Sequence, residues 1–167
     1  RPDDLGVKSA MFQVALHERD WNRAEELARE LAAADHDDAG GALIRFQLAL
    51  ARGQTAEALE HAREAVRRLP HFARSYVALG QALAAQGRFD DAVTEFRRAL
   101  ERRSNNVEAL RGIIGCYYAL NQPDNARRYI EQARRIRPND PYFAELELDY
   151  IQRYGDPTQA FAARERA

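Results

Sequence analysis

The chain has one cysteine, one lysine and no long hydrophobic run. Cys116 is the single cysteine of 167 residues, which excludes an internal disulfide and a zinc site built from several cysteines. Lys8 is the single lysine among 25 basic residues, so arginine carries almost all of the positive charge. No apolar run approaches the ~20 residues that a membrane span needs, and the sequence predicts no transmembrane helix.

An excess of charge of one sign is also missing, because the formal net charge is −1. No global field therefore draws the chain toward nucleic acid or anionic lipid. The first residues, Arg1–Asp4, have none of the features of a signal peptide. Because no methionine precedes them, we expect the chain to be a segment of a longer protein, and its compartment stays unknown.

The clearest positive pattern is a repeat with a period of 34 residues. Residues that stand 34 positions apart form a column. One column places alanine near the start of each expected second helix, and another places glycine in turns. A third column has proline at the end of units, and a fourth is small and apolar. These columns are Ala24, Ala58, Ala92, Ala126 and Ala160; Gly53, Gly87 and Gly155, with Arg19 and Asn121; Pro2, Pro70 and Pro138, with His36 and Ser104; and Leu31, Ala65, Ala99 and Ala133. Alanine lets two helices cross closely, glycine permits a turn without a Cβ clash, and proline ends a helix.

The unit Ala73–Asn106 resembles the tetratricopeptide repeat, with Ser104 in place of the final proline. The matching positions are Tyr76, Leu79, Gly80, Leu83, Gly87, Phe89, Ala92, Phe96 and Ala99. The resemblance implies an all-α fold, a right-handed α-solenoid of about five antiparallel helix pairs with a concave groove. Its register predicts the tail of a preceding repeat at 1–4, then units at 5–38, 39–72, 73–106, 107–140 and a partial unit at 141–167.

Residues that could support catalysis or hold a metal do not converge in this register. Cys116 lies on the inner side of a first helix, where we expect a buried and inert thiol. The four histidines, His17, His36, His61 and His71, occupy four different columns. The loop from Asp35 to Gly40 partly matches a calcium loop, but Ala39 and Phe46 stand where oxygen ligands are needed. We therefore expect no catalytic residues, no metal site and no cofactor.

Arginine residues cluster on the second helices, and such clusters can indicate RNA binding. They comprise Arg97, Arg98, Arg102 and Arg103, and Arg127, Arg128, Arg134, Arg135 and Arg137. Glutamates at helical spacing, Glu64 before Arg67 and Arg68 and Glu131 before Arg134 and Arg135, favour ion pairs on a solvated convex face. RNA binding through these helices remains the less favoured alternative.

The resemblance implies that the first helices line a groove that binds an extended or helical peptide. Carried over by column, the groove residues are Gln13, Leu43, Gln47, Leu50, Arg74, Val77, Gln81, Arg111, Tyr118, Tyr142, Glu145 and Asp149. A row of glutamines could bond a ligand backbone without reading its sequence. A subgroup of the family clamps acidic C-terminal peptides with Lys, Asn and Arg. Ser9, Gln13 and Ala78 stand at those positions here, which disfavours that ligand.

The sequence thus predicts a non-catalytic scaffold that binds a protein or peptide in its concave groove. The alternative is a regulatory or substrate-presenting segment of a larger enzyme. We expect no nucleic-acid partner, and self-association through exposed ends of the array stays open.

Overall fold

A computed structural model describes residues 4–34 and 39–154. The described residues form nine α-helices and no strand. The helices are α1 (Leu5–Glu18), α2 (Trp21–Ala33), α3 (Ala39–Ala51), α4 (Thr55–Arg68), α5 (Ala73–Ala85), α6 (Phe89–Arg102), α7 (Val107–Ala119), α8 (Pro123–Ile136) and α9 (Pro141–Tyr154). The calcium-like loop of the sequence falls mostly on residues 35–38, which lie outside the described part, as do Pro2, Gly155 and Ala160.

Each helix packs against the next helix along the chain, from α1 on α2 to α8 on α9. Odd-numbered helices are the first helices of hairpins and even-numbered helices are the second. The first helix α5 also contacts the first helices α3 and α7 directly. Most buried side chains form one continuous core, while the core of the α1–α2 hairpin is a smaller cluster around Phe12 and Leu27. The predicted all-α solenoid is confirmed.

The turn inside each hairpin repeats one backbone geometry. Gly53 and Gly87 have φ of 74° and 75°, and Arg19 and Asn121 in the same column have φ of 58° and 56°. In all four described turns, the amide after this residue donates to the carbonyl five positions earlier. Arg88 N to Leu83 O, at 3.0 Å, is one of these bonds. Left-handed backbone with this bond is a common way to end a helix and satisfy its last carbonyls. This column therefore requires left-handed backbone rather than glycine itself, and two repeats adopt that backbone with Arg19 and Asn121.

The alanine column is buried between packed helices. Ala24, Ala58, Ala92 and Ala126 are all 0% exposed, and Ala65, Ala99 and Ala133 further along the second helices are also fully buried. A larger side chain at any of these positions could not extend into solvent, so it would force the helices apart.

The large side chain of the hairpin core stands on the first helix in some repeats and on the second helix in another. The first two hairpins place phenylalanine on the first helix, as Phe12 and Phe46, and alanine at the facing column of the second helix, as Ala28 and Ala62. The third hairpin reverses this order and has glycine on the first helix and phenylalanine on the second. A Cβ built on Gly80 would lie 2.7 Å from the ring of Phe96, and one built on Gly112 of the next first helix would overlap the same ring. The Phe96 ring therefore fills space that glycine leaves open on both sides.

We predict opposite stability changes at two members of the turn column. Gly87→Ala should lower the free energy of unfolding by about 1 kcal/mol, because a Cβ is disfavoured in left-handed backbone. Arg19→Gly should raise it by about 0.5 kcal/mol, since it removes that penalty at some cost in chain entropy. Urea unfolding followed by circular dichroism measures both. Equal changes of the same sign would show that conformation does not govern this column.

We predict that Gly112→Ala destabilises the array by about 1–3 kcal/mol, because the new methyl group meets the buried Phe96 ring. Gly115→Ala on the same helix is the matched control, since a Cβ there meets nothing within 4 Å. That control should be stabilising by roughly 0.5–1 kcal/mol through helix propensity. Phe96→Leu combined with Gly112→Ala should cost less than the sum of the two single changes. Strict additivity in thermal unfolding would contradict the packing described here.

Candidate binding groove

The first helices line a groove on one side of the array. The groove has a volume of about 640 Å³, within the range of protein ligand sites. Its floor consists of apolar side chains from α3 and α5, and its rim is polar. The lining residues are Leu43, Phe46, Gln47, His71, Phe72, Ala73, Arg74, Val77, Ala78, Gln81, Arg102, Arg103, Asn106 and Glu108.

Five of the predicted groove residues line this space together: Leu43, Gln47, Arg74, Val77 and Gln81. Leu43 and Val77 are buried in the floor, whereas Arg74 and Gln81 are exposed. The predicted row of glutamines begins with a direct contact, because the Nε2 of Gln13 donates to the Oε1 of Gln47 at 3.1 Å. This bond links two neighbouring first helices. It leaves the Nε2 group of Gln47, and the second lone pair of its Oε1, for other partners.

The groove also contains residues that the column pattern did not predict. Phe72 is 50% exposed although it is a large apolar residue, and its side chain lines the groove beside His71. Both residues lie in the connection between α4 and α5. Arg103 and Asn106 come from the next connection, before α7. The column pattern considered helical positions only, so it missed every contribution from the connections. A phenylalanine in a connection, directly before a helix start, is the sequence signal that could have indicated one.

Arg102 is the residue that fixes the shape of the groove wall. Its guanidinium lies 4.0 Å from the centre of the Tyr76 ring, and its Nε donates to the carbonyl of Pro70 at 3.0 Å. The Tyr76 hydroxyl donates to the same carbonyl at 2.9 Å and accepts from Arg102 Nη2. These contacts tie the end of α6 to the connection that carries Phe72. Arg102 thus has a structural role, and its charge is already partly engaged.

Two basic side chains of the groove, Arg74 and His71, have no partner among the described residues. Within residues 4–34 and 39–154, Arg74 and His71 make no side-chain hydrogen bond or ion pair, and both are exposed. Arg103 bonds only the neighbouring Asn105, at 3.1 Å. Glu108 is the one acidic residue among the lining side chains. The groove therefore carries an excess of positive charge around an apolar floor, in a chain whose total charge is close to zero.

Most of the remaining predicted residues belong to α7 and α9, and several of them are engaged with neighbouring side chains. Arg111 stacks on Tyr142 at 4.4 Å and pairs with Asp140 at 3.5 Å, which joins α7 to the start of α9. Asp149 accepts from Arg153 at 2.8 Å. Leu50 packs partly buried against the main core, and Glu145 is exposed.

Tyr118 differs from the other predicted groove residues because its hydroxyl group is buried. This hydroxyl has no hydrogen-bond partner among the described residues. Burial, with a further contribution from nearby Asp149, raises its pKa. The Tyr118 hydroxyl therefore does not face solvent.

The second helices carry ion pairs on the opposite, convex face. Glu64 pairs with both Arg67 and Arg68, as the spacing predicted. Glu131 behaves differently, because it pairs with Arg127 at 2.8 Å in place of the predicted partners. Arg134 pairs instead with Glu147 on α9, at 3.1 Å across the helix interface.

Part of the arginine-rich surface is engaged by tyrosine. Arg97 donates to the hydroxyl groups of Tyr117, at 2.6 Å, and of Tyr129, at 3.0 Å. Together with the ion pairs, these bonds occupy Arg97, Arg98, Arg102, Arg127 and Arg134 with partners inside the chain. Less of this positive charge is available to an outside ligand than the sequence alone suggests.

Cys116 is 3% exposed, as predicted for an inert thiol. Burial raises its pKa to about 11, and the charge of Asp90 adds to the effect. Burial is also the main cause that lowers the pKa of His61, with Arg45 nearby. Across the described part of the chain, no three His, Cys, Asp or Glu side chains are grouped to hold a metal ion. No helix there is both long and apolar enough to cross a membrane.

Two family models match this sequence, and both are described as "Tetratricopeptide repeat". They match residues 43–106 and 83–148, so together they cover the hairpins around the groove. A curated relative, cellulose synthase operon protein C of Xanthomonas axonopodis pv. citri (strain 306), is 32% identical over 124 residues. That match covers 70% of this chain and 8% of the relative, so the chain spans a small part of the relative's length.

Solved structures show the same fold at low sequence identity. TTC0263, a thermophilic TPR protein of Thermus thermophilus, is 16% identical with a TM-score of 0.77, over 98% of this chain and 90% of that chain. The MamA protein is 16% identical with a TM-score of 0.72, over 97% and 88% of the two chains. The TPR2B-domain:pHsp70 complex of yeast Sti1 is 21% identical with a TM-score of 0.64, over 69% and 97%.

We predict that Cys116 resists alkylation in the folded protein. With its pKa raised to about 11, the thiol stays protonated at pH 8, and the reactive thiolate is scarce as well as buried. Iodoacetamide labelling followed by intact-mass measurement should be slow in buffer and rapid in urea. Rapid labelling in buffer under conditions where circular dichroism shows a folded chain would contradict the burial.

Proposed function

The chain belongs to the tetratricopeptide repeat family, and from that membership we propose that its concave groove binds an extended segment of a partner protein. Arrays of this family are protein-interaction scaffolds and are generally non-catalytic. One structural neighbour, the TPR2B domain of yeast Sti1, is in a complex with pHsp70. The observation that supports the proposal for this chain is the groove itself, an apolar floor with the exposed Phe72 and the unengaged Arg74 at its rim.

The chemistry of the groove indicates the chemistry of the segment. Phe72 and the floor residues Leu43 and Val77 offer apolar surface to one large side chain of the ligand. Arg74 and His71 stand beside that surface without partners, so carboxylates that flank the apolar side chain would complement them. Gln47 and Gln81 offer amide donors and acceptors to the ligand backbone. We therefore propose a short linear segment with an apolar anchor and neighbouring Asp or Glu.

The other proposed groove residues extend this site along the array. Arg111, Tyr118, Tyr142, Glu145 and Asp149 belong to the first helices α7 and α9, next to the groove. Because Arg111 and Tyr142 stack on each other, they would present a fixed, planar surface rather than mobile side chains. A longer segment would reach this surface after it leaves the groove beside Arg74.

A second candidate places the array inside a larger enzyme, as a regulatory or substrate-presenting segment. The observation that favours it is the match to cellulose synthase operon protein C, of which the chain spans 8%. In this case the groove would bind a segment of the same polypeptide or of its substrate-handling partner. RNA binding is the third candidate, and the internal partners of Arg97, Arg127 and Arg134 make it less favoured.

We predict that linear peptides selected on the immobilised protein from a random display library contain an apolar residue flanked by Asp or Glu. Phe72→Ala should weaken their binding at least about tenfold, because the apolar anchor loses its contact. Arg74→Glu should weaken it by about fivefold to tenfold and reduce its salt dependence. Fluorescence anisotropy with a labelled selected peptide measures both.

The matched control is Arg135→Glu, which reverses the same charge at an exposed position of α8 on the convex face. It should leave peptide affinity unchanged. Peptides that lose binding with Arg135→Glu but keep it with Phe72→Ala would move the site to the convex face. Polynucleotide binding that falls steeply with salt and is lost with Arg135→Glu would support the RNA candidate instead.

A further inference from the structure

Another cavity lies beside the second helices α6 and α8 and shares no lining residue with the groove. It has a volume of about 180 Å³. We call it the arginine–tyrosine cavity, and its described lining residues are Arg97, Tyr117, Asn125, Arg128, Tyr129 and Gln132. Each of these side chains can donate a hydrogen bond, and none of these six is acidic.

The guanidinium of Arg97 is bonded but keeps an uncompensated charge. Its Nη2 donates to the Tyr117 hydroxyl at 2.6 Å and its Nε to the Tyr129 hydroxyl at 3.0 Å. Both partners are neutral, and Glu101, four positions further along α6, pairs with Arg102 at 3.5 Å. The two tyrosine bonds use two of the five N–H donors of the guanidinium and leave three for another acceptor.

The two tyrosine hydroxyls also keep a donor each. Because both accept from Arg97, each still has its own O–H for a further acceptor. Neither hydroxyl donates to another residue in the described part of the chain. The Tyr117 and Tyr129 rings lie 5.8 Å apart and Tyr117 is buried, so packing restrains the positions of the hydroxyls. A hydroxyl that accepts from a cation is polarised and becomes a stronger donor.

Arg128 and Gln132 supply further donors from α8. Arg128 is exposed, and neither side chain has a hydrogen-bond or ion-pair partner among residues 4–34 and 39–154. Asn125 bonds Gln122 through its Nδ2 at 2.8 Å and keeps the second N–H of that group. The cavity therefore combines the two positive charges of Arg97 and Arg128 with hydroxyl and amide donors.

The same columns have a different chemistry in the earlier repeats. Neither tyrosine column holds another tyrosine in the preceding helices. The columns of Arg128 and Gln132 both hold glutamate in α2 and in α4, as Glu26, Glu30, Glu60 and Glu64. Helix α8 has therefore replaced the acidic residues of both columns at the place where the cavity forms.

The arginine of the cavity is repeated, but its partner is not. The column of Arg97 also holds arginine in α2 and α4, as Arg29 and Arg63. Arg29 pairs with Glu25 at 3.3 Å and Arg63 with Glu60 at 2.8 Å, each on its own helix. Arg97 bonds two tyrosines in their place. The charge that a carboxylate neutralises in the earlier repeats is thus left for a ligand in this one.

We propose that the arginine–tyrosine cavity binds a phosphate monoester group. Such a group carries a charge of about −1.5 to −2 at neutral pH and has three strong acceptor oxygens. The charges of Arg97 and Arg128 match a dianion, and the hydroxyls of Tyr117 and Tyr129 add donors for the remaining oxygens. A carboxylate has one charge and two oxygens, so it would leave more of these donors without an acceptor. The group belongs either to a small phosphorylated molecule or to a phosphorylated side chain of a partner protein.

The test is a titration of the isotope-labelled protein with inorganic phosphate at constant ionic strength, followed by NMR. We expect saturable shifts of the Arg97 Nε–H signal and of the Arg128 and Tyr129 amides. Acetate should bind at least about fivefold more weakly, because it uses fewer donors. Tyr129→Phe removes one donor at unchanged charge, and Arg128→Gln removes one charge. Each should weaken phosphate binding about tenfold.

Two further variants separate a built site from a diffuse basic surface. Gln132→Glu restores the glutamate that α2 and α4 have in this column, and it should abolish phosphate binding. Arg135→Gln removes the same charge as Arg128→Gln from an exposed position of α8 outside the cavity, and it should leave the affinity unchanged. Circular dichroism checks that each variant is folded. Equal losses with Arg135→Gln and Arg128→Gln, or full affinity in folded Tyr129→Phe and Gln132→Glu, would overturn the proposal.

A degenerate phosphoserine peptide library distinguishes the two sources of the phosphate group. Retention with a clear residue preference beside the phosphoserine supports a phosphorylated partner, and retention without a preference supports a small molecule. No saturable shift with tens of millimolar inorganic phosphate would overturn the proposal. RNA that binds more tightly than phosphate and weakens equally with Arg128→Gln and Arg135→Gln would also overturn it. Phe72→Ala in the groove should leave phosphate binding unchanged, since the two sites share no residue.

Discussion

The array depends on the close approach of each second helix to both of its neighbours. Ala24, Ala58, Ala92 and Ala126 have no exposed surface, and the space they leave is filled by the helices that cross there. Helices of thirteen or fourteen residues are marginal alone, so this packing stabilises them. It also transmits order along the chain, because the first helices α3, α5 and α7 are each held between two second helices.

The groove is a consequence of the same packing. With the second helices held on one side, the first helix α5 comes into direct contact with α3 and α7 on the other. The side chains between them form the apolar floor, and the connections between hairpins supply the rim. Arg102 links the two regions, since its guanidinium bonds the carbonyl of Pro70 and stacks on Tyr76. The position of Phe72 thus depends on a residue from the opposite end of the hairpin.

The repeats satisfy one geometry with different side chains. The turn column accepts Arg19 and Asn121 in left-handed backbone, although glycine has the lower conformational cost there. The core accepts phenylalanine on either helix, provided that alanine or glycine faces it, because the total volume is what must be conserved. Solenoids tolerate this variation since each unit contacts only its neighbours. The variation also gives each segment of the groove its own side chains.

The sequence by itself determined the architecture. Its period of 34 residues, carried by the alanine and glycine columns, predicted helix pairs and their turns, and the resemblance to the repeat family added the expectation that Gln47, Arg74 and Gln81 lie in the groove. These features depend on local conformation and on spacing, which a sequence displays directly. Only the tertiary structure decided which cations are free and which apolar residues are exposed. Glu131 pairs with Arg127 and Arg134 with Glu147, Arg111 is held by Tyr142, and Phe72 remains open to solvent, because these outcomes depend on distances between side chains far apart in the chain.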